Sequence, residues 1–173
     1  IDKDVYGEEM LRIMIVDIFA HFVPRAAVET LKRLTGEPFP LVLDRSGDSG
    51  YAHLYDLDSR IHALDRMGID IQVVTLPETV STRSADTEVE LCAVANDALA
   101  EVEEKSAGRV LGAANLPMSD PAAAVREFER SVEGLGLRAV QFFSHVRGQP
   151  LDDAELDPLF ERIERRGVAV LMH

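Results

Sequence analysis

Five apolar runs of strand length alternate with amphipathic helical patterns along this chain, and that alternation restricts the fold more than any other feature. The runs are Ile13 to Ile18, Ile71 to Leu76, Val110 to Leu116, Leu137 to Phe143 and Val168 to Met172. Continuous apolar runs suit strands covered on both faces, as in a parallel sheet flanked by helices. The last three begin roughly 30 residues apart, the size of a strand-helix-strand unit. The order is therefore (βα)4β. A doubly wound five-strand fold places a helix over its last strand, and no such pattern follows Met172. The expectation is an α/β chain of the TIM type, a (β/α)8 barrel of which the first five strands and four helices are present. Residues 1–12 are acidic and lack the basic and apolar regions of a signal peptide, so they read as an N-terminal extension. Residues 13–173 read as the N-terminal portion of the barrel.

Local signals set the helix bounds. Pro24 suits the first turn of a helix running to about Leu34, closed by Thr35-Gly36. The turn-rich Asp44-Arg45-Ser46-Gly47-Asp48-Ser49-Gly50, inside Leu41 to Tyr55, predicts a hairpin or excursion before a helix from Asp58 to Met67. Asp86 or Thr87 is the expected cap of the next helix, with Thr87 and Glu90 as a capping box and Val89, Cys92, Asn96, Leu99 and Val102 as its inward stripe. Asp120-Pro121 starts the helix carrying Val125, Phe128 and Val132. Gly148 to Asp153 reads as a turn whose Asp152 or Asp153 caps a last helix, Ala154 to Arg166, with Leu156, Leu159, Phe160 and Ile163 inward and Gly167 as its stop.

Charge and composition exclude whole classes of partner. A net charge of -13 repels phosphate backbones, so nucleic acid is not an expected partner. The apolar runs are far shorter than the roughly 18 residues of a membrane span, so no membrane is expected either. The single Cys92 excludes an intramolecular disulfide, reads as a buried structural thiol, and fits a reducing cytoplasm.

Parallel strands deliver their C-terminal ends to one edge, where barrel active sites lie. The residues delivered there are Asp17, Phe19 and His21; Thr75 and Glu78; Asn115; Gln141, Ser144 and His145; and His173. His21 and His173 stand at the mouths of strands one and five, so their imidazoles can reach inward to a shared ion at about 2.0 to 2.1 Å each. Asp17 lies inside its strand and suits a hydrogen bond to a ligand residue more than ligation. Gln141 and His145 are candidates for contact with a polar substrate, and Phe19 for an apolar wall. His53, in the excursion, borders this region; His62, on a polar helix, reads as a surface residue.

Asp17-Ile18-Phe19-Ala20-His21-Phe22-Val23-Pro24 resembles the D-x-H-x-H-x-x-P signature of the amidohydrolase-related group that contains aminocarboxymuconate semialdehyde decarboxylase and the resorcylate decarboxylases. The similarity continues through Asp58-Ser59-Arg60, Leu64-Asp65-Arg66-Met67-Gly68-Ile69-Asp70, Ala95-Asn96-Asp97, Gly108-Arg109-Val110 and Leu116-Pro117. It extends over Gly148-Gln149-Pro150-Leu151-Asp152-Asp153, Pro158-Leu159-Phe160-Glu161 and Val170-Leu171-Met172-His173. The resemblance implies a TIM barrel with one divalent ion, usually zinc, held by a strand-one histidine pair, a strand-five histidine and a strand-eight aspartate. His21 and His173 take two of those roles. Phe19 stands at the first ligand position, where it cannot coordinate a metal.

Two functions follow as expectations. One is a metal-dependent decarboxylase or hydrolase acting on a small carboxylated compound, aromatic or dienoic. The other is a non-catalytic barrel that binds a carboxylated metabolite or a partner subunit, its metal lost through Phe19. The resemblance also implies a homo-oligomer.

Overall fold

The computed structural model describes residues 13–36, 49–77 and 84–173. The N-terminal extension 1–12, most of the turn-rich segment and Glu78 fall outside those residues. Within them, five parallel strands stand side by side in chain order: β1 (Val16–His21), β2 (Ile71–Thr75), β3 (Val110–Asn115), β4 (Ala139–Phe142) and, as the fifth, β7 (Ala169–Met172). Two further short strands, β5 (His145–Val146) and β6 (Gln149–Pro150), form a small antiparallel ribbon above the end of β4. The unbroken strand order is that of a barrel and not of a doubly wound sheet, whose order reverses at its centre. The first five-strand stretch of the expected barrel is thus present.

The helices pack on one face of this sheet. The crossover from β1 to β2 carries α1 (Arg25–Thr35), a 3-10 turn (Ser49–Leu54) and α2 (Leu57–Met67). The next three crossovers carry α3 (Ala85–Lys105), α4 (Pro121–Phe128) extended by a π-helical turn (Glu129–Gly134), and α5 (Asp157–Arg166). The core lies between strands and helices in two adjoining clusters. One is built around Val23, Leu31, Leu64, Val74, Leu91 and Leu99, the other around Phe128, Val140, Phe142, Leu159 and Ile163. Among the described residues no helix is long and apolar enough to cross a membrane. Cys92 is buried in the first cluster, and burial pushes its thiol well above its ordinary range.

Several boundaries differ from the sequence expectation, each for a local reason. Strand one runs from Val16 to His21 instead of Ile13 to Ile18, because its neighbour β2 pairs Val16 with Ile71 and His21 with Thr75. Of the segment expected to form a hairpin or excursion, Ser49–Leu54 form a 3-10 turn, and residues 41–48 lie outside the described residues. The cap of α3 is Ser84, whose side chain accepts from the Thr87 amide at 3.4 Å; Asp86 and Thr87 already lie in the first helical turn. The inward stripe of α3 is accordingly Glu88, Leu91, Cys92, Ala95, Asn96, Leu99 and Val102, and Val89 turns to solvent at 38% exposure. Asp120 caps α4 and Asp153 caps the short 3-10 turn (Ala154–Leu156) that leads into α5.

At the foot of the barrel Arg109 fastens the end of α2 to the start of the sheet. Its guanidinium donates to the carbonyls of Asp70 and Ile69, both at 2.9 Å, and to the Asp65 carboxylate at 2.8 Å. Higher up, Gly112 allows α3 to lie against β3: a Cβ there would stand 2.8 Å from Leu99 Cβ and 3.3 Å from Leu137 Cδ2. Both neighbours are fully buried core side chains with no room to retreat. Gly112→Ala is therefore expected to destabilise the fold by about 1 to 3 kcal/mol through overpacking. The unfolding midpoint in urea measures it, and an unchanged midpoint would mean that α3 moves off the sheet at no cost.

Candidate metal centre

The site begins with an irregularity in β1. The pairing with β2 runs Val16 to Ile71 and Asp17 to Gln72, then slips so that Ala20 meets Val74 and His21 meets Thr75. Three steps on β1 match two on β2, which is a β-bulge. In a regular strand Asp17, Phe19 and His21 would share one face. The bulge separates them. Asp17 stays on the helix side, where its Oδ2 accepts from Gln72 Nε2 at 2.6 Å, while its Oδ1 accepts from the Phe19 amide at 3.1 Å. Phe19 and His21 turn to the inner face of the sheet. Ala20, between them, packs into the helix-side core.

His173 arrives from the opposite edge. Its backbone amide donates to the Phe142 carbonyl at 2.8 Å, so the pairing of β7 with β4 continues past Met172 and points the imidazole inward. The two histidines, 152 positions apart in sequence, bring their Nε2 atoms to 3.4 Å, with ring centroids 5.2 Å apart. Two nitrogens bound tetrahedrally to one ion at about 2.0 to 2.1 Å are about 3.3 to 3.4 Å apart. The spacing fits a shared ion without further movement. Phe19 completes a triangle of rings, its centroid 5.7 Å from that of His21 and 5.4 Å from that of His173. Among the described residues no group of three or more His, Cys, Asp or Glu side chains gathers that could hold a metal. His21 and His173 are, among the described residues, the two side chains placed to meet the ion the resemblance implies.

The second nitrogen of His21 is already engaged. Nδ1 lies 3.0 Å from Thr75 Oγ1, and that hydroxyl donates to the Ala20 carbonyl at 3.4 Å, so it accepts from Nδ1–H. The proton on Nδ1 leaves the Nε2 lone pair facing His173, the tautomer a metal ligand needs. Burial, then the neighbouring His173, hold the His21 pKa below its ordinary value despite a hydrogen bond to the Thr75 backbone, which favours protonation. A lowered pKa keeps the ring neutral and able to ligate further into the acid range.

The remaining sequence candidates separate into three settings. Gln141 is 3% exposed; its Nε2 donates to the Leu76 carbonyl at 3.0 Å and its Oε1 is buried without a partner. Together with Asn115, Phe143 and His145 it lines a small cavity of about 20 Å3 at the mouth. His145 itself is exposed on the ribbon, its Nδ1 at 3.2 Å from Ser144 Oγ, and the Phe143 ring beside it stands 5.1 Å from that of His173. His53 is half-buried and faces a cavity of about 270 Å3 shared with His21, Arg60 and Leu64. His62 is exposed on α2.

The sequence reading missed two buried polar networks that shape this mouth. In the first, Arg60, 3% exposed, donates from Nε to the His53 carbonyl at 2.9 Å, and from its two terminal nitrogens to Gln72 Oε1 and to the His21 carbonyl. Burial pushes Arg60 down to about 10, partly countered by the charge of Asp17. The signal was available: Arg60 stands one helical turn before Leu64, on the apolar stripe of α2, where a charge needs partners. In the second, Asn96 of α3 accepts from the Asn115 amide at 2.8 Å and donates to the Asn115 carbonyl at 2.9 Å and to Glu127 Oε1 at 2.6 Å. Arg130 then pairs with Glu127 and Asp97.

Just past β3, Glu88 is fully buried and its Oε2 accepts from the amide and hydroxyl of Ser119. Burial raises its pKa above the ordinary value, outweighing those hydrogen bonds. A carboxyl whose folded pKa is raised holds its proton longer in the native state than in the unfolded one, so stability falls as pH rises from the ordinary carboxylate range, about 4.3, through the folded value. Glu88→Gln is expected to flatten that decline. Urea midpoints between pH 4 and 8 check it, and a variant that keeps the parent's slope would assign the decline to other groups.

Comparison with known proteins places the chain in a family. The amidohydrolase family profile matches residues 16–173. The chain is 35% identical over 124 residues to 2-amino-3-carboxymuconate-6-semialdehyde decarboxylase of Dictyostelium discoideum, covering 70% of this chain and 34% of that protein. It is 32% identical over 157 residues to gamma-resorcylate decarboxylase of Polaromonas sp., covering 86% of this chain and 47% of that protein. A crystal structure of dihydroxybenzoic acid decarboxylase from Polaromonas sp., with bound manganese and the inhibitor 2-nitroresorcinol, superimposes with a TM-score of 0.74 at 28% identity, over 92% of this chain and 49% of that one. The chain thus spans between a third and a half of the length of these proteins. The profile match across nearly all the described residues, together with the parallel strand order, makes the chain a member of the amidohydrolase family.

Proposed function

We propose that the whole protein is a metal-dependent decarboxylase acting on a small carboxylated aromatic or dienoic compound. The observation that carries this reading is the convergence of His21 and His173, with Nε2 atoms 3.4 Å apart at the mouth of a parallel barrel sheet. The names of the relatives, three decarboxylases of carboxylated small molecules, supply the reaction class. The ion is divalent. The two imidazoles at tetrahedral spacing favour zinc, and manganese, named for the Polaromonas structure, is the competitor to test against it. When bound, the ion polarises an oxygen of the substrate and neutralises negative charge next to the bond that breaks.

The chain's own residues orient the ligand and the substrate. Thr75 fixes the His21 ring in the ligating tautomer. Phe19 places a flat apolar wall beside the two imidazoles, a surface suited to an aromatic or diene face. Gln141 and His145, at the ends of the neighbouring strand and ribbon, are proposed to meet the polar groups of the substrate. The protein is further proposed to be a cytoplasmic homo-oligomer.

The test is incubation of the whole protein with small hydroxylated benzoates in deuterated water, following carbon dioxide release and the product by mass spectrometry. Decarboxylation exchanges a carbon–carbon bond for a carbon–hydrogen bond, so the product must carry one deuterium at the vacated carbon. A hydrolase releases an acid with no such label. Phe19 supports a second reading, a barrel that binds a carboxylated metabolite without turning it over, and saturable binding with no carbon dioxide would favour it.

A further inference from the structure

We propose that Arg60 is a positioning residue for the metal centre, holding the His21 end of β1 and the His53 turn in register through its buried guanidinium; this rests on the metal-dependent reading above. Arg60 belongs to α2, behind the sheet, and its hydrogen bonds go to two backbone carbonyls and Gln72, although its charge is also felt at His21. It acts on the backbone that carries His21. Its Nε takes the carbonyl of His53 at 2.9 Å, one terminal nitrogen takes the carbonyl of His21 itself, and the other takes Gln72 Oε1. Gln72 passes the link to Asp17 through its own Nε2 at 2.6 Å from Oδ2.

The arrangement is unusual for a buried arginine because no carboxylate touches it among these contacts. Its charge is balanced through one intervening amide, and its face lies over the Phe22 ring with the guanidinium carbon 5.3 Å from the centroid. The more exposed Arg130, by contrast, meets carboxylates directly, those of Glu127 and Asp97. Here the strongly directional donors are spent on the two carbonyls flanking the mouth and on the residue opposite Asp17. The β-bulge gives the reason such a clamp is needed. Between Asp17 and Ala20 the ladder with β2 slips, so the segment presenting Phe19 and His21 lacks regular pairing along part of its length. Asp17 holds the near side of the bulge through Gln72, the His21 carbonyl holds the far side, and Arg60 joins the two. A rotation of the His21 peptide would carry Nε2 out of line with His173 and Nδ1 away from Thr75 Oγ1.

Arg109 provides an internal control. It too is an arginine that donates to two carbonyls and fastens α2 to the sheet, but at the opposite end of the strands. The experiment compares Arg60→Met, Arg60→Lys and Arg109→Met in the whole protein. It measures manganese and zinc affinity by competition with a chelator under conditions where each variant is folded, and the ring nitrogen resonances of His21 in the metal-free protein. The expected result is a loss of about 10- to 100-fold in affinity for Arg60→Met, the range typical of residues that orient metal ligands. Arg60→Lys should recover part of the loss, since an ammonium can still reach one carbonyl. Arg109→Met should lower stability and leave affinity unchanged. The metal-free Arg60→Met protein should show His21 as a mixture of tautomers where the parent shows the Nδ1–H form. Equal affinities for parent and Arg60→Met, or a His21 spectrum untouched by the substitution, would overturn the proposal. If the parent itself binds no ion, the functional reading fails while the His21 resonances still decide the role of Arg60. If Arg60→Met does not fold, Gln72→Leu cuts the link to Asp17 alone; a loss of about threefold or more supports the clamp, and none refutes it.

Discussion

Phe19→His in the whole protein is expected to raise affinity for a divalent ion by about 100-fold. The ring already stands in the triangle with His21 and His173, at centroid separations of 5.7 and 5.4 Å, so an imidazole there needs no new backbone. Structural zinc sites bind with about 10 to 16 kcal/mol from four ligands, or about 3 kcal/mol each. That is roughly a hundredfold per ligand. The substitution should cost little stability, because Phe19 is 53% exposed and buries little apolar surface on the inner face. Competition with a chelator reads the affinity of parent, Phe19→His and His21→Ala. If Phe19→His binds no more tightly than the parent and His21→Ala no more weakly, strand one does not face the ion.

The largest loss of stability is expected from Asn96→Ala, about 3 to 4 kcal/mol. Asn96 is fully buried and its amide serves both backbone groups of Asn115 while also donating to Glu127. Removing it leaves the Asn115 amide and carbonyl short of a partner and takes a donor from a carboxylate that is 9% exposed. Each stranded buried polar group costs about 1 to 3 kcal/mol, more when charged. The Arg130 pairing with Glu127 remains and caps the loss. Urea unfolding of parent and variant measures it. A shift under 1 kcal/mol would mean that water enters the gap and replaces the amide.

Most of the architecture was legible because its signals are local and repeated. The apolar runs located all five barrel strands, and Gly36, Gly68 and Gly167 closed their helices in the left-handed conformation only glycine adopts readily. The spacing of a strand–helix unit then dictated the order in the sheet. What failed was register. Asp17, Phe19 and His21 alternate in sequence as if on one face, and nothing in Asp17-Ile18-Phe19 announces the bulge that sends Asp17 to the helix side. Ser84 caps α3 although Asp86 and Thr87 favour that position as strongly in the sequence.

The site was legible in part for the same reason. His21 and His173 end strands, and strand ends meet by topology alone. Their approach to 3.4 Å needed the curvature of the sheet as well as its order. Asn96 appeared only as one more position on an apolar stripe, because its three partners come from other elements. A buried amide declares its role only when its partners are in place. Arg60 falls within the family-like Asp58-Ser59-Arg60, but its burial follows from a separate signal, a charge on the inward face of α2.

If His21 and His173 hold one divalent ion, the metal content of the purified protein depends on both. The whole protein, purified without chelator, is to be analysed by plasma mass spectrometry beside His21→Ala and His173→Ala. The expected result is close to one zinc or manganese ion per chain in the parent and at least a tenfold lower content in each variant, with all three folded alike. A parent without stoichiometric metal, or variants that retain it, would leave these two imidazoles as mere neighbours at a strand edge.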